Sequence, residues 1–482
     1  MRIGKLIYAA VFLGICLTPT IGMAVSKPDE NSENRELASL PELTDEEGRI
    51  NTAFLEDLGN YYTDHFGFRS QMVTVNARIR SDLFGVSAAD GVIDGTDGWL
   101  YYKDSLRDYL GFEQMSDRAL NNAAHSLGML QRSLAKQGID FLFVPVPNKN
   151  TLYPEHMPAY DSITADGERN YDRLSVFLEK EEVSWLDMRS YLGGFDEVLY
   201  HKRDSHWNNR GAALAAHEIL DRLGHDTVSW ADGEYEIRTD HEGDLDRMLF
   251  PAAVTPEEEI YYTRQSVYAY IGEIGSTFDY RISTIAPSRE GGLVMYRDSF
   301  TNALLPFLAD DFGNGFFTRG EPFRIIDIDP EETDAVIVER AERFLPNLAS
   351  RAPVMAADPI TPDDEPEWFL RLVQAGMEAG ADEASGGMEE VSADPEGEYY
   401  TKIEGKLSGE ELKTDSRVFM ELGGVYYEAF TCTRTNEESA EEEWFTIYLP
   451  STLFETAAAP ARVFVTDAEE LKSLGPVLTG TV

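Results

Sequence analysis

The sequence predicts an α/β fold, a parallel sheet flanked by helices, followed by a small C-terminal β-sandwich domain. Three observations carry this expectation. Between Asp117 and Leu223, amphipathic helical spacings alternate with short, nearly continuous apolar runs, as in parallel strands buried on both faces. Those runs end in loops dense with polar side chains, the edge of such sheets where ligands collect. Near Ala356 the composition turns acidic and rich in Pro, Gly and Ala, and beyond Tyr399 strand-like patterns take over.

Length and charge bound the answer. A chain of 482 residues, 43% hydrophobic, accommodates one large domain and an appendage. A net charge of −46 argues against nucleic acid or anionic membrane surfaces as partners. Most of these acids read as a solubilising surface, with a neutral or cation-rich polymer still permitted. Residues 1–24 read as a signal peptide or membrane anchor: Arg2 and Lys5 precede an apolar run from Leu6 to Leu17, with small residues Gly22 and Ala24 behind it. Of two cysteines, Cys16 falls inside this segment. The exported part would keep Cys432 alone, which rules out an internal disulfide or a cysteine metal cluster and reads as a core residue.

The elements follow in order. Residues 25–50 read as a linker and residues 51–355 as the main domain. Asn51 to Phe84 is helical in spacing, and its Asp64-His65 pair, flanked by Phe66 and Phe68, reads as a structural corner. Val92 to Tyr102 reads as a hairpin, Asp117 to Gln137 as a helix, Ile139 to Val144 as a strand and Pro145 to Pro154 as the loop at its carboxyl end. A helix over Arg169–Lys180, a strand over Val183–Met188 and a helix over Arg210–Leu223 follow. Val228 to Glu290, rich in tyrosine, reads as an insertion. Phe323 to Ile328 and Asp334 to Val338 read as strands, and Glu339 to Leu348 as a closing helix. Residues 356–397 read as an acidic linker with one short helix over Trp368–Met377. Residues 398–482 read as the β domain, with strands over 400–407, 417–433, 444–449 and 461–466.

Two stretches carry chemistry. YHKRDSHWNNRGAAL, Tyr200 to Leu214, sets Asp204 and His206 two residues apart at the end of a loop that enters a helix. A carboxylate beside a histidine fixes its tautomer and stabilises the imidazolium, the base half of a nucleophilic site. GLVMYRDSFTNALLPF, Gly292 to Phe307, supplies the other half: an apolar strand ends at Arg297-Asp298-Ser299 and a helix begins. A serine there stands beside free helix amides that stabilise an oxyanion. The pair reads as a Ser-His-Asp constellation in the order Asp204, His206, Ser299. A metal at Asp204 and His206 is the weaker reading, since no second histidine stands at ligand spacing.

NRELASLPELT (Asn34 to Thr44), DHFGFR, DGWLYY, the spacing of Pro147, Lys149, Tyr153 and Pro154, DSHWNNRGA, GDLDRML from Gly243 and RDSF occur in this order. The combination resembles the bacterial DHHW and alginate O-acetyltransferase (AlgJ/AlgX-like) proteins, over about Asn34 to Leu348. The resemblance implies an SGNH-hydrolase-like fold, with Asp204 as orienting acid, His206 as base and Ser299 as nucleophile. It leaves Asn148, Lys149, Asn150, Tyr153 and Arg297 as candidates for substrate or oxyanion contacts. Ser205-His206 stands where the narrower family has two histidines, and Arg297 where a glycine often precedes Asp-Ser. The implied activity is an exported O-acetyltransferase that needs no metal or cofactor, acts on a cell-surface or secreted polysaccharide and receives acetyl groups from a membrane-bound O-acyltransferase. A carbohydrate acetyl esterase with the same triad, and a non-catalytic polysaccharide-binding or assembly protein, are the alternatives.

Overall fold

The computed structural model of the protein describes residues 2–23, 37–44, 48–160, 163–165, 167–225, 228–363, 366–378, 388–407, 412–456, 461–466 and 471–476. The first helix, α1 (Arg2–Gly22), carries exposed apolar side chains from Leu6 to Ile21, yet no helix among the described residues is long and apolar enough to cross a membrane. Most of the expected linker at 25–50 lies outside the described residues. Helices α2 (Phe54–His65) and α3 (Arg69–Phe84) meet at the Asp64-His65 corner. There the Asp64 carboxylate accepts the Ala38 amide at 2.9 Å, and His65 Nδ1 lies 2.9 Å from the Tyr61 carbonyl.

The hairpin forms as expected, β1 (Val92–Asp94) against β2 (Leu100–Tyr102). Ser116 caps α4 (Asp117–Lys136) by accepting the Ala119 amide, and the chain then enters β3 (Asp140–Val146). Next come α5 (Asn170–Lys180) and α6 (Asn209–Arg222), the latter capped by Asn208. The insertion contains β4 (Tyr235–His241), α7 (Asp244–Leu249), β5 (Glu257–Tyr262), β6 (Ala269–Ile271) and β7 (Arg281–Ile285). Strand β8 (Gly292–Tyr296) leads to α8 (Thr301–Ala309), followed by β9 (Asn314–Thr318), β10 (Ala335–Ala341) and α9 (Leu345–Ser350).

The central sheet has the order β3-β10-β8-β9-β7-β6, parallel across its first four strands and antiparallel at β7 and β6. Side-chain alternation splits the core in two. Leu142, Val144, Leu293, Met295 and Ile337 pack under α6 and α8, while Phe141, Phe143, Val294, Val336 and Val338 pack under α4 and α5. Both faces are therefore covered, which is why these strands are apolar throughout.

Three expected elements differ. Val183–Met188 makes one bridge, Trp185 to Phe143, because Asp187 turns the chain by accepting the Ser190 amide at 3.0 Å and starts a short helix. Phe323–Ile328 is a 3₁₀ turn over Ile325–Asp327, and the strand in this part of the sheet is Asn314–Thr318 instead. Strand β10 runs on to Ala341 where a helix was expected, since buried Glu339 hydrogen-bonds Thr301 and buried Arg340 pairs with Glu321 at 3.0 Å.

The C-terminal domain is a seven-stranded antiparallel sheet built from β11 (Met388–Glu396), β12 (Tyr400–Leu407), β13 (Arg417–Leu422), β14 (Val425–Thr435), β15 (Glu441–Pro450), β16 (Arg462–Thr466) and β17 (Leu471–Pro476). The expected strand at 417–433 is two strands, because Gly423 and Gly424 both adopt positive φ and make a hairpin turn. Strand β11 falls inside the stretch expected to be linker. Strand β14 pairs β13 through its first half and β15 through its second, so the two halves of the sheet enclose a core of Ile403, Val418, Met420, Phe445, Ile447 and Val463. Helix α10 (Pro366–Glu378) closes the outer face with Leu372 and Trp368 against Phe419 and Phe464.

This domain is not a loose appendage. Phe430 and Cys432 belong to the same buried cluster as α4, burial pushes the Cys432 thiol up to about 12, and Arg118 and Asn122 of α4 bind Glu443.

Candidate active site

Asp204, His206 and Ser299 meet at the carboxyl ends of the parallel strands. The Asp204 carboxylate accepts the His206 amide at 3.0 Å, a local turn that swings the imidazole back over it, and His206 Nδ1 lies 2.7 Å from the same oxygen. Ser299 Oγ lies 2.7 Å from His206 Nε2. With Nδ1–H donated to Asp204, Nε2 carries the lone pair that receives the serine hydroxyl proton. Trp207, buried behind His206, donates Nε1–H to the Phe300 carbonyl at 2.9 Å and ties the histidine loop to the serine turn.

The serine turn is built on carboxylates. Asp298 accepts the amides of Phe300 at 2.9 Å and Ala341 at 2.7 Å, while its own amide donates to Glu339 at 2.9 Å. Burial works against the Asp298 charge, but Arg343 and these hydrogen bonds hold its carboxyl below the usual range; burial and the Asp298 charge push Glu339 well above it. The Ser299 amide meets no acceptor among the described residues and stays available beside α8.

Asp204 is saturated. Its second oxygen accepts from His241 Nε2 at 3.1 Å and from the Asp244 amide at 3.0 Å. Burial opposes the charge, yet the bonds from His206 and His241 hold the carboxyl well below its ordinary value. Burial likewise lowers His206, and Asp204 followed by Asp244 overturns that and raises it. Asp244 lies 3.6 Å from His206 Nδ1 and accepts the Ser205 hydroxyl at 2.6 Å; burial and the neighbouring Asp204 raise its carboxyl.

The other sequence-derived candidates divide. Lys149 is buried, and its ammonium donates to the carbonyls of His201, Lys202 and Asp204 at 3.0, 2.9 and 2.5 Å, so it clamps the loop that carries Asp204. Burial lowers its proton affinity to about 8. Tyr153 accepts the Leu199 amide at 2.8 Å, and Asn150 donates to Ser105 at 3.0 Å. Arg297 turns away to the carbonyls of Thr277 and Asp279 at 2.9 and 2.8 Å and to Asn302 at 2.8 Å, pinning the insertion. Asn148 differs: its carbonyl oxygen accepts from Arg343 at 3.1 Å, which leaves its NH₂ to donate.

Three residues at the site escaped sequence reasoning: His241 ends β4, Glu259 sits on β5 and Arg343 follows β10. Asp244 lies inside the GDLDRML motif, whose place at the site the sequence alone did not reveal. Arg343 lies over the rings of Phe300 and Tyr102, 5.5 and 5.4 Å from their centres. Gly243 is the one legible signal: a Cβ there would come within 2.3 Å of the Arg203 carbonyl, so only glycine lets the insertion close onto the Asp204 loop.

Among the described residues two clusters bring three ligand-type atoms within 4.8 Å: His201, His241 and Glu259, and Asp204, His206 and Asp244. In the first the imidazoles stack 3.7 Å apart and 3° from parallel, so their in-plane lone pairs run side by side instead of converging. In the second, His206 Nδ1 is spent on Asp204. Both are organised as hydrogen-bond chains.

Residues 92–277 match the family described as SGNH hydrolase-like domain, acetyltransferase AlgX, a span that contains Asp204 and His206 and ends before Ser299. Proteins named probable alginate O-acetylase AlgJ match as well: that of Pseudomonas aeruginosa is 28% identical over 140 residues, 27% of this chain and 32% of the relative. That of Pseudomonas syringae pv. tomato is 26% identical over 224 residues, 45% of this chain and 51% of the relative. The chain thus spans about a third to a half of the curated relatives it matches. Among solved structures, a DHHW family protein from Eubacterium siraeum aligns at 15% identity and TM-score 0.38, covering 53% of this chain and 94% of that one. The O-acetyltransferase domain of Pseudomonas putida AlgJ aligns at 16% and 0.36, covering 59% and 99%. The resemblance read from the motifs therefore stands: residues 92–277 are similar to the SGNH hydrolase-like domain of AlgX-type acetyltransferases, and the chain is similar to proteins named probable alginate O-acetylase AlgJ.

Proposed function

We propose that the protein is an exported O-acetyltransferase that moves an acetyl group through Ser299 onto hydroxyls of a cell-surface or secreted polysaccharide. The observation that carries this reading is the unbroken chain from Ser299 Oγ through His206 to Asp204, with the Ser299 amide left free beside it. The names of the AlgJ relatives supply the acceptor class, a polysaccharide such as alginate. A membrane-bound O-acyltransferase is the donor we propose, and the apolar α1 serves as leader or anchor.

The chemistry runs in two halves. Ser299 Oγ attacks the acetyl carbonyl while its proton passes to His206 Nε2; Asp204 stabilises the imidazolium that forms. The amides of Ser299 and the Asn148 side chain, the latter held by Arg343, receive the oxyanion. The donor's acyl bond then breaks and its leaving group takes the proton from His206. A sugar hydroxyl attacks the acetyl-serine, gives its proton to His206, and the bond to Oγ breaks as Oγ is reprotonated.

The test is intact mass spectrometry after brief exposure to an activated acetyl ester, with and without an oligosaccharide acceptor. Wild type should gain one acetyl group, Ser299→Ala none, and the sugar should discharge the adduct faster than water. Discharge indifferent to sugar makes the protein an esterase; no adduct and no turnover overturns the acyl-serine reading.

A further inference from the structure

We infer that His241 is a positioning residue of this site, one that fixes the Asp204 carboxylate and competes with His206 for its charge; this rests on the acyl-transfer reading above. Four donors fill Asp204: the His206 amide and Nδ1–H on one oxygen, His241 Nε2–H and the Asp244 amide on the other. Such a carboxylate cannot rotate, and neither can the imidazole it holds. His241 is itself set in place. It ends β4, opposite Glu257 of β5, beyond a register shift at Thr239 that aims its ring at the loop. That ring stacks on His201 at 3.7 Å, and His201 Nε2 lies 2.9 Å from Glu259. Glu259 in turn accepts the Asn209 amide at 3.1 Å, the first residue of α6 after the His206 loop. The end of the β4–β5 ribbon where His241 faces Glu257 is thereby tied to the stretch from Asp204 to Asn209 at two points.

The charges facing His241 are Asp204 from the loop and Glu257 and Glu259 from β5, and His201 is its stacked neighbour; its side chain is 28% exposed, within reach of solvent protons. Burial disfavours its imidazolium, and Asp204 with the two glutamates overturns this. One carboxylate then serves two imidazoles. Whatever His241 draws from Asp204, as a cation or as a hydrogen-bond donor, is withdrawn from the His206 imidazolium.

Two variants separate orientation from charge. His241→Phe removes both donor and charge; His241→Gln keeps an N–H donor and removes the titrating charge. With an activated acetyl ester, the acidic limb of kcat/KM should move up by about half to one pH unit in His241→Phe and by less in His241→Gln, which still donates to Asp204, since the His206 imidazolium gains what His241 gave up. The alkaline plateau should fall about tenfold in His241→Phe and recover in His241→Gln. Histidine NMR titration reads the same shift at His206 without turnover. Equal limbs in all three proteins, with His206 titrating unchanged, overturn the inference. Wild type that forms no more adduct and turns over no more ester than Ser299→Ala strikes the acyl-transfer reading instead, and leaves the NMR shift to judge His241 alone.

Discussion

His125 and His206 each hold a carboxylate on Nδ1, and only one of the two is poised for chemistry. His125 of α4 has Glu181 2.8 Å from Nδ1 and Glu428 of the C-terminal sheet 2.8 Å from Nε2. Arg417 clamps Glu428 with two hydrogen bonds. His206 has Asp204 on Nδ1 and a serine hydroxyl on Nε2. Burial disfavours the charged form of both rings, and acids overturn it in both: Asp204 and Asp244 for one, Glu428 and Glu181 for the other. A raised proton affinity therefore does not distinguish them. The partner of Nε2 does. A carboxylate there demands N–H on both nitrogens and locks the ring as an imidazolium strut between two domains, whereas a hydroxyl leaves a lone pair that takes up a proton.

The sharpest test of that difference removes each ring. His206→Gln and Ser299→Ala should each lower turnover of an activated acetyl ester by about 10³-fold or more, because nucleophile and base act as a unit. His125→Gln should stay within about threefold of wild type in the same assay. A loss in His125→Gln as deep as in His206→Gln, in protein that remains folded by circular dichroism, would erase the distinction.

The next effect concerns what surrounds each ring. Both neighbourhoods contain an arginine, but Arg417 neutralises a carboxylate while Arg343 holds the Asn148 amide and lies over Phe300, beside the serine. Arg343→Gln should lower kcat about ten- to a hundredfold, as loosening an oxyanion contact does, and should also lower the melting temperature, because the buried Asp298 carboxylate loses its cation. A change confined to KM would place Arg343 on the acceptor sugar instead.

Most of the site was legible because its residues announce themselves locally. Asp204 and His206 share one turn, and Ser299 follows an apolar strand into a helix, so period and turn chemistry suffice. His241 and Glu259 were hidden because they come from an irregular insertion whose pairing depends on a bulge, and Arg343 because it follows a strand that burial of Glu339 and Arg340 extends past its apolar pattern. The same limit explains Lys149 and Arg297. Sequence places both beside the site, but only three dimensions reveal that one grips loop carbonyls and the other pins Thr277 and Asp279. The parallel half of the sheet follows from apolar runs. Strands β6, β7 and β9 do not, being only three to five residues long and open to solvent along part or all of their length.

The smallest effect probes the seam between the domains. Because Glu428 keeps Arg417 when His125 is removed, His125→Gln should cost about 1–3 kcal/mol of stability, less than breaking an isolated buried pair. The pH dependence carries the sign. His125 binds its proton more tightly folded than unfolded, so its stabilisation is complete below the ordinary imidazole value of about 6.5 and is lost as pH rises through the raised folded value. The gap in melting temperature between wild type and His125→Gln should be widest near pH 5.5 and narrow toward pH 8.5, while His206 and His241 contribute equally to both proteins and cancel. A gap that stays constant across that range would mean His125 is neutral in the fold, with one glutamate carrying the proton. The two histidines would then differ in charge as well as in the partner of Nε2, and the contrast between strut and base would need to be redrawn around the carboxylates.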